Sequence, residues 1–176
     1  MKTTKIIVLI GFFLGLCGCV NEDETVEISS IDVETYIELL KTDQYQSSKL
    51  PQFAPKDIPE LIEYINDKSV IRKFPVNPVS SYSEPHPEYR LGTLILWTIE
   101  SIRLSAFEDS LIHGFPSQHP FVKTKSEPIE WITKHEDKIY ELVSLSYFNW
   151  WNENSHREFS DYSNIDPLEN INYRWH

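Results

Sequence analysis

Leu91-Gly92-Thr93-Leu94-Ile95-Leu96-Trp97-Thr98-Ile99-Glu100-Ser101-Ile102-Arg103-Leu104 is the stretch that decides the fold. Leu91, Leu94, Ile95, Trp97, Ile99, Ile102 and Leu104 spread around nearly the whole helical circumference. A helix that is apolar on most faces lies at the centre of its domain, so the spacing predicts a central helix over about 91–106 with the other elements packed around it.

Working outward, three more helical patterns are readable. Val33, Tyr36, Ile37 and Leu40 recur at i, i+3, i+4 and i+7 behind Ser30, read as the N-cap, with Asp32, Glu34 and Glu38 outward. Asp57 with Glu60 three residues on is a capping-box variant, Pro59 falls in the first turn, and Ile58, Leu61, Ile62 and Ile65 form the stripe. Ser126 is read as capping a segment that opens Glu127-Pro128, breaks near Lys134 and runs to about Asn152, with Ile139, Val143, Tyr147 and Trp150 inward. Between these lie a loop over 68–89 with four prolines and a second Pro-containing loop, His113-Gly114-Phe115-Pro116-Ser117-Gln118-His119-Pro120. The tail over 154–176 is polar, and its aromatic end, Tyr173-Arg174-Trp175-His176, is expected to dock back on the domain. No run alternates cleanly enough to be read as a strand. The expected fold is therefore all-α: one small domain over 31–176, a helical bundle or paired helical hairpins with long Pro-rich loops and at most a minor hairpin.

Ahead of that domain, Met1 to Cys19 has the layout of an export signal: Lys2 and Lys5, an apolar run from Ile6 to Leu16, then small residues before a cysteine. The run is too short for a membrane span, which needs about 20 residues. Leu16-Cys17-Gly18-Cys19 resembles the lipobox of bacterial lipoproteins. That resemblance implies a signal peptide over 1–18 and a lipid on the Cys19 thiol; the other reading is an ordinary cleaved signal. Asn21-Glu22-Asp23-Glu24 opens a polar tether over 19–30. An acidic run behind the lipidated cysteine also resembles the signal that sends lipoproteins of Bacteroides-type bacteria to the outer face of the outer membrane. The expected location is the outer membrane, on its surface or, alternatively, on its periplasmic face.

Composition narrows the function classes. Five glycines in 176 residues against 13% aromatics exclude a disordered chain, a collagen and a glycine-rich nucleotide cradle. The chain carries 16 Lys and Arg against 27 Asp and Glu; the leader takes two lysines and no acid with it, so the net charge moves from −11 to −13. Nucleic acid is not an expected partner, since no basic run is available to displace counterions. With Cys17 removed and Cys19 lipidated, the folded domain has neither a thiol nor a disulfide, which excludes cysteine nucleophiles and zinc–thiolate sites.

Several stretches together carry a wider likeness: Leu50-Pro51 with Phe53, Phe74-Pro75-Val76-Asn77-Pro78-Val79-Ser80-Ser81, Leu91-Gly92 leading to Leu96-Trp97-Thr98-Ile99-Glu100-Ser101-Ile102-Arg103, Phe115-Pro116-Ser117-Gln118 with Pro120, and Tyr147 with Trp150-Trp151. The combination resembles an uncharacterised family of lipoproteins from Bacteroides-type bacteria, over about residues 36–175. The resemblance implies a helical lipoprotein domain and no particular activity.

Among chemistry-bearing residues, Glu100 and Arg103 lie three apart on the apolar helix and are read as a structural ion pair, with a ligand clamp as the rival role. His113 and His119 lack a third ligand, and His135-Glu136-Asp137 lacks the second histidine of a zinc-protease helix, so no metal or cofactor is expected. No Gly-x-Ser-x-Gly elbow occurs, and paired carboxylates mean little in a chain with 27 acids, so no catalytic residue is assigned. The candidate binding surface is built on the Pro-rich loops, from Phe74, Asn77, Ser80, Ser81, Phe115, Ser117 and Gln118, with Trp151 as an aromatic neighbour that either faces a groove or is covered by the tail. The rival reading of these loops is that they seal the helix ends.

The expected function is a lipid-anchored envelope module that binds a protein or glycan partner without transforming it, held to the membrane through Cys19. An inhibitor or immunity-type protein covering a basic toxin or hydrolase is the alternative, since a strongly acidic surface steers cationic partners. An unrecognised hydrolase is the third.

Overall fold

The computed structural model describes residues 31–80, 89–107 and 110–176. The signal peptide, Cys19, the tether, Ser30 and Ser81 lie outside the described residues.

The first helix, α1 (Val33–Lys41), buries Val33, Tyr36, Ile37 and Leu40, and its N-cap is Asp32, whose carboxylate accepts the Thr35 N–H at 2.7 Å. A single-turn 3-10 helix, Pro55–Asp57, leads into the short α2 (Ile58–Ile62), and Asp57 reaches back to accept the Ala54 N–H at 2.8 Å. The central helix α3 (Leu91–Leu104) buries every residue from Leu91 to Glu100, with Ile102 and Arg103. The last helix, α4 (Asp137–Asn154), lays Tyr140, Val143, Tyr147 and Trp150 against it. Ile139 is half-buried against the same core. Among the described residues no helix is long and apolar enough to cross a membrane.

The all-α expectation is overturned by two antiparallel ribbons. The first joins β1 (Val70–Ile71) to β2 (Tyr89–Arg90), in register Val70 to Arg90 and Ile71 to Tyr89. The second joins β3 (Val122–Thr124) to β4 (Tyr173–Trp175), in register Val122 to Trp175 and Thr124 to Tyr173. The fold is mixed. Strands of two or three residues have no period to read, and each partner is distant in sequence, so only the closed tertiary structure supplies the pairing.

A second correction concerns the segment after Ser126. It is not helical: Thr124 N donates to Glu130 O at 3.0 Å and Ile132 N to Val122 O at 2.9 Å, so residues 130–132 run along the other side of β3. Glu127-Pro128 is a cis peptide. The Ser126 hydroxyl does not cap a helix because it accepts the Asn172 amide at 2.8 Å, tying the loop to the tail. Helix α4 begins only at Asp137.

The helices close on the carbonyl of Ile65. Gly92 at the head of α3 sits where a Cβ would overlap that carbonyl, and Ser144 of α4 donates its hydroxyl to the same oxygen at 3.1 Å. Only a residue without a side chain lets α3 start so close to the turn after α2.

Candidate functional site

The two Pro-rich loops meet, and Asn77 and Ser117 face inward. Asn77 is 1% exposed; its amide donates to Ser117 O at 2.9 Å and Ile112 O at 3.2 Å, while its carbonyl oxygen accepts the Val79 N–H at 3.1 Å. The Ser117 hydroxyl accepts the Trp97 indole N–H at 2.8 Å and donates to His119 O at 2.8 Å. Phe115 is buried and stacks on Trp97 at 5.3 Å, and Phe74 tilts onto the same indole at 5.9 Å. This arrangement is the seal over the Trp97 end of the core. A cleft of about 80 Å³ remains, bordered by Val76, Ser80, Gln118 and His119.

The structure sets His119 against His176, ring centroids 5.1 Å apart, and stacks it on Phe121 at 4.9 Å. Burial lowers the pKa of His119, with His176 adding to the effect. The Ser80 hydroxyl lies 3.2 Å from Nδ1 and 3.4 Å from Nε2 of His119, so it faces the carbon between them and is aligned with neither lone pair. That is not the geometry of a serine activated by a base. Among the described residues, no three His, Cys, Asp or Glu side chains gather as a metal site.

Glu100 and Arg103 form a buried bidentate pair: Nε donates to Oε2 at 2.8 Å and a terminal nitrogen to Oε1 at 2.7 Å. The other terminal nitrogen donates to Ser163 O, and Tyr147 Oη donates to Glu100 Oε2 at 2.7 Å. Trp175 completes the chain by donating its indole N–H to Tyr147 Oη at 2.8 Å. Burial alone would lower the guanidinium pKa, but the Glu100 carboxylate outweighs it and holds the pKa raised. Burial, reinforced by Glu100, pushes the Tyr147 hydroxyl well above its ordinary value. With donors on both of its oxygens, Glu100 is committed to joining α3, α4 and the tail. Trp151 is half-buried, its ring edge-on to Tyr162 at 6.5 Å, so the tail partly covers it.

A larger space lies at the other end of α3. A cavity of about 340 Å³ opens between the extended segment at Leu50, Pro51 and Phe53, the last turn of α3 at Ser101, Ile102 and Ser105, and the turn at Leu111 and Gly114. Its walls are mainly apolar; Lys49, Gln52 and the two serine hydroxyls are the polar groups at its edge. Phe53 is held from behind by Tyr36, edge-on at 5.5 Å. Nothing in the amino-acid sequence marks this space as a site. Three separate segments build it without a titratable cluster, and the Leu50-Pro51 stretch with Phe53 was its only visible trace.

The family model for a domain of unknown function, DUF4943, matches residues 27–176, which takes in all the described elements. No curated protein and no solved structure matches the chain. The match covers most of the sequence, and the chain belongs to the DUF4943 family.

Proposed function

We propose that this protein is a lipid-anchored component of the cell envelope whose folded domain binds a small molecule without transforming it. The anchor reading rests on Lys2 and Lys5, the apolar run and Cys19, and the acidic tether favours the outer membrane and its exposed face. The observation that carries the binding reading is the 340 Å³ cavity, within the size range of ligand pockets and built like them, with apolar walls and a few polar groups. Those polar groups are hydroxyls, an amide and an ammonium. The described lining includes no imidazole or carboxylate that would move a proton, which suits holding a ligand more than changing it.

Titration calorimetry with the neutral probe 2-(1-naphthyl)ethanol tests this reading. Saturable binding is expected, and it is lost in a Ser105→Phe variant that fills the cavity yet unfolds at the wild-type temperature. Absence of saturable binding to the wild-type protein, or unchanged binding by the folded Ser105→Phe variant, overturns the assignment of the cavity as the site.

A further inference from the structure

We infer that the cavity between Lys49 and the end of α3 selects an anionic amphiphile, a compact apolar ring or branched chain bearing one carboxylate, with the carboxylate held by Lys49. This rests on the same cavity being the binding site.

Charge is the first argument. Acids outnumber bases 27 to 16 in the chain, yet the one charged residue among the described lining residues is a lysine. Three other lysines are engaged: Lys41 lies 2.7 Å from Asp67, Lys68 lies 3.0 Å from Asp137, and Lys125 donates to the carbonyls of Leu168 and Glu169. The Lys49 ammonium has no hydrogen-bond or ion-pair partner among the described residues, although its backbone is fixed at both ends. Its N–H donates to Ser47 Oγ at 2.9 Å and its carbonyl accepts the Tyr45 hydroxyl at 2.7 Å. The root of the side chain is thus pinned, and no described residue holds the ammonium.

Orientation follows from the helix. The far wall is the C-terminal turn of α3, where carbonyl groups make the field negative, and an anionic head is unfavourable there. The head therefore sits at the Lys49 rim and the apolar body lies against Ile102, Leu50 and Leu111. Gln52, which lines the same cavity, has an amide N–H for the second carboxylate oxygen.

The test compares 1-naphthaleneacetate with 2-(1-naphthyl)ethanol, two probes of the same size and different charge, on the wild-type protein and on Lys49→Met. The acid is expected to bind wild-type protein about three- to fivefold more tightly than the alcohol at low salt, the range of a rim ion pair. Raising the salt should erase most of that preference. Lys49→Met should bring the two probes to equal affinity by weakening the acid. Equal binding of both probes to wild type, or an acid preference that survives in Lys49→Met, overturns the inference and leaves the cavity as a neutral site. Failure of both probes to bind overturns the site itself.

Discussion

Tyr147 of α4 donates its hydroxyl to Oε2 of Glu100 on α3 at 2.7 Å, inside the core, and the same carboxylate is gripped by Arg103. One buried charge is therefore shared by two helices and, through Trp175, by the C-terminal strand. Removing Arg103 leaves that charge without its countercharge, and Arg103→Met should cost about 3 to 5 kcal/mol in unfolding free energy. Adding Glu100→Gln to Arg103→Met should recover part of the loss, because the uncompensated carboxylate goes with it. Urea unfolding of the two variants decides this, and equal stability of single and double variants would show that the charge is not what holds the junction.

Trp97 is fully buried and its indole N–H has Ser117 Oγ as its acceptor. Trp97→Ala should cost about 3 to 5 kcal/mol through the cavity it leaves. Ser117→Ala removes little volume but strands a buried donor, so a loss of about 1 to 3 kcal/mol is expected. If denaturation shows Ser117→Ala as stable as wild type, the loop is not sealed by that bond.

The central helix was legible because Leu91 to Ile102 has no polar face, and the α1 stripe because its four apolar residues recur at helical spacing. The start of α4 is not legible because Ser126 before Glu127-Pro128 looks like a cap, while its hydroxyl serves Asn172 across the fold. The strands were invisible for a related reason: Val122 and Trp175 become neighbours only once the tail has docked. The two Pro-rich loops meet where Asn77 reaches Ser117, and sequence alone does not tell which way an amide points. The carbonyls of Ser117, Ile112 and His119 and the Trp97 indole N–H, at the end of the core, are the partners that those polar groups turn inward to meet. The 340 Å³ cavity had no signature at all, its walls being ordinary apolar residues from three segments.

Gly92 offers a direct check on how α2, α3 and α4 close. A methyl group there meets the Ile65 carbonyl, which is backbone and already accepts from Ser144, so neither side has room to give. Gly92→Ala should destabilise by about 1 to 3 kcal/mol despite the better helix propensity of alanine. A stabilised variant in thermal unfolding would mean that the helix head shifts freely.

Cys19 is expected to be the first residue of the mature protein and to carry lipid. Mass spectrometry of protein extracted from native membranes should show a lipidated Cys19 amino terminus, and Cys19→Ala should accumulate with its leader attached. An unmodified terminus beyond residue 19 would remove the anchor from the proposed function and leave the binding site untouched.

Stability should depend on pH through the histidines near the tail and the head of α4. Burial lowers the pKa values of His119, His135 and His176; at His135 the Asp137 carboxylate opposes the effect without reversing it, while Lys68 and Arg90 add to it, and at His176 Lys123 acts with burial. In the unfolded chain these imidazoles take up protons near pH 6.5. Below that pH the unfolded state binds more protons than the native state, so the contribution is fully present above about 6.5 and is lost as pH falls toward the lowered native values. Each histidine can add a slope of at most about 1.4 kcal/mol per pH unit. The lowered carboxylates of Asp32, Asp67 and Asp137 act in a separate window, losing their contribution as pH falls below about 4. Thermal unfolding from pH 7.5 down to 5.5 should thus show a falling midpoint, and His119→Phe, which keeps a ring against Phe121, should show a shallower fall. A midpoint that stays flat across this interval would mean that the buried imidazoles take up protons as readily in the native protein as in the unfolded chain.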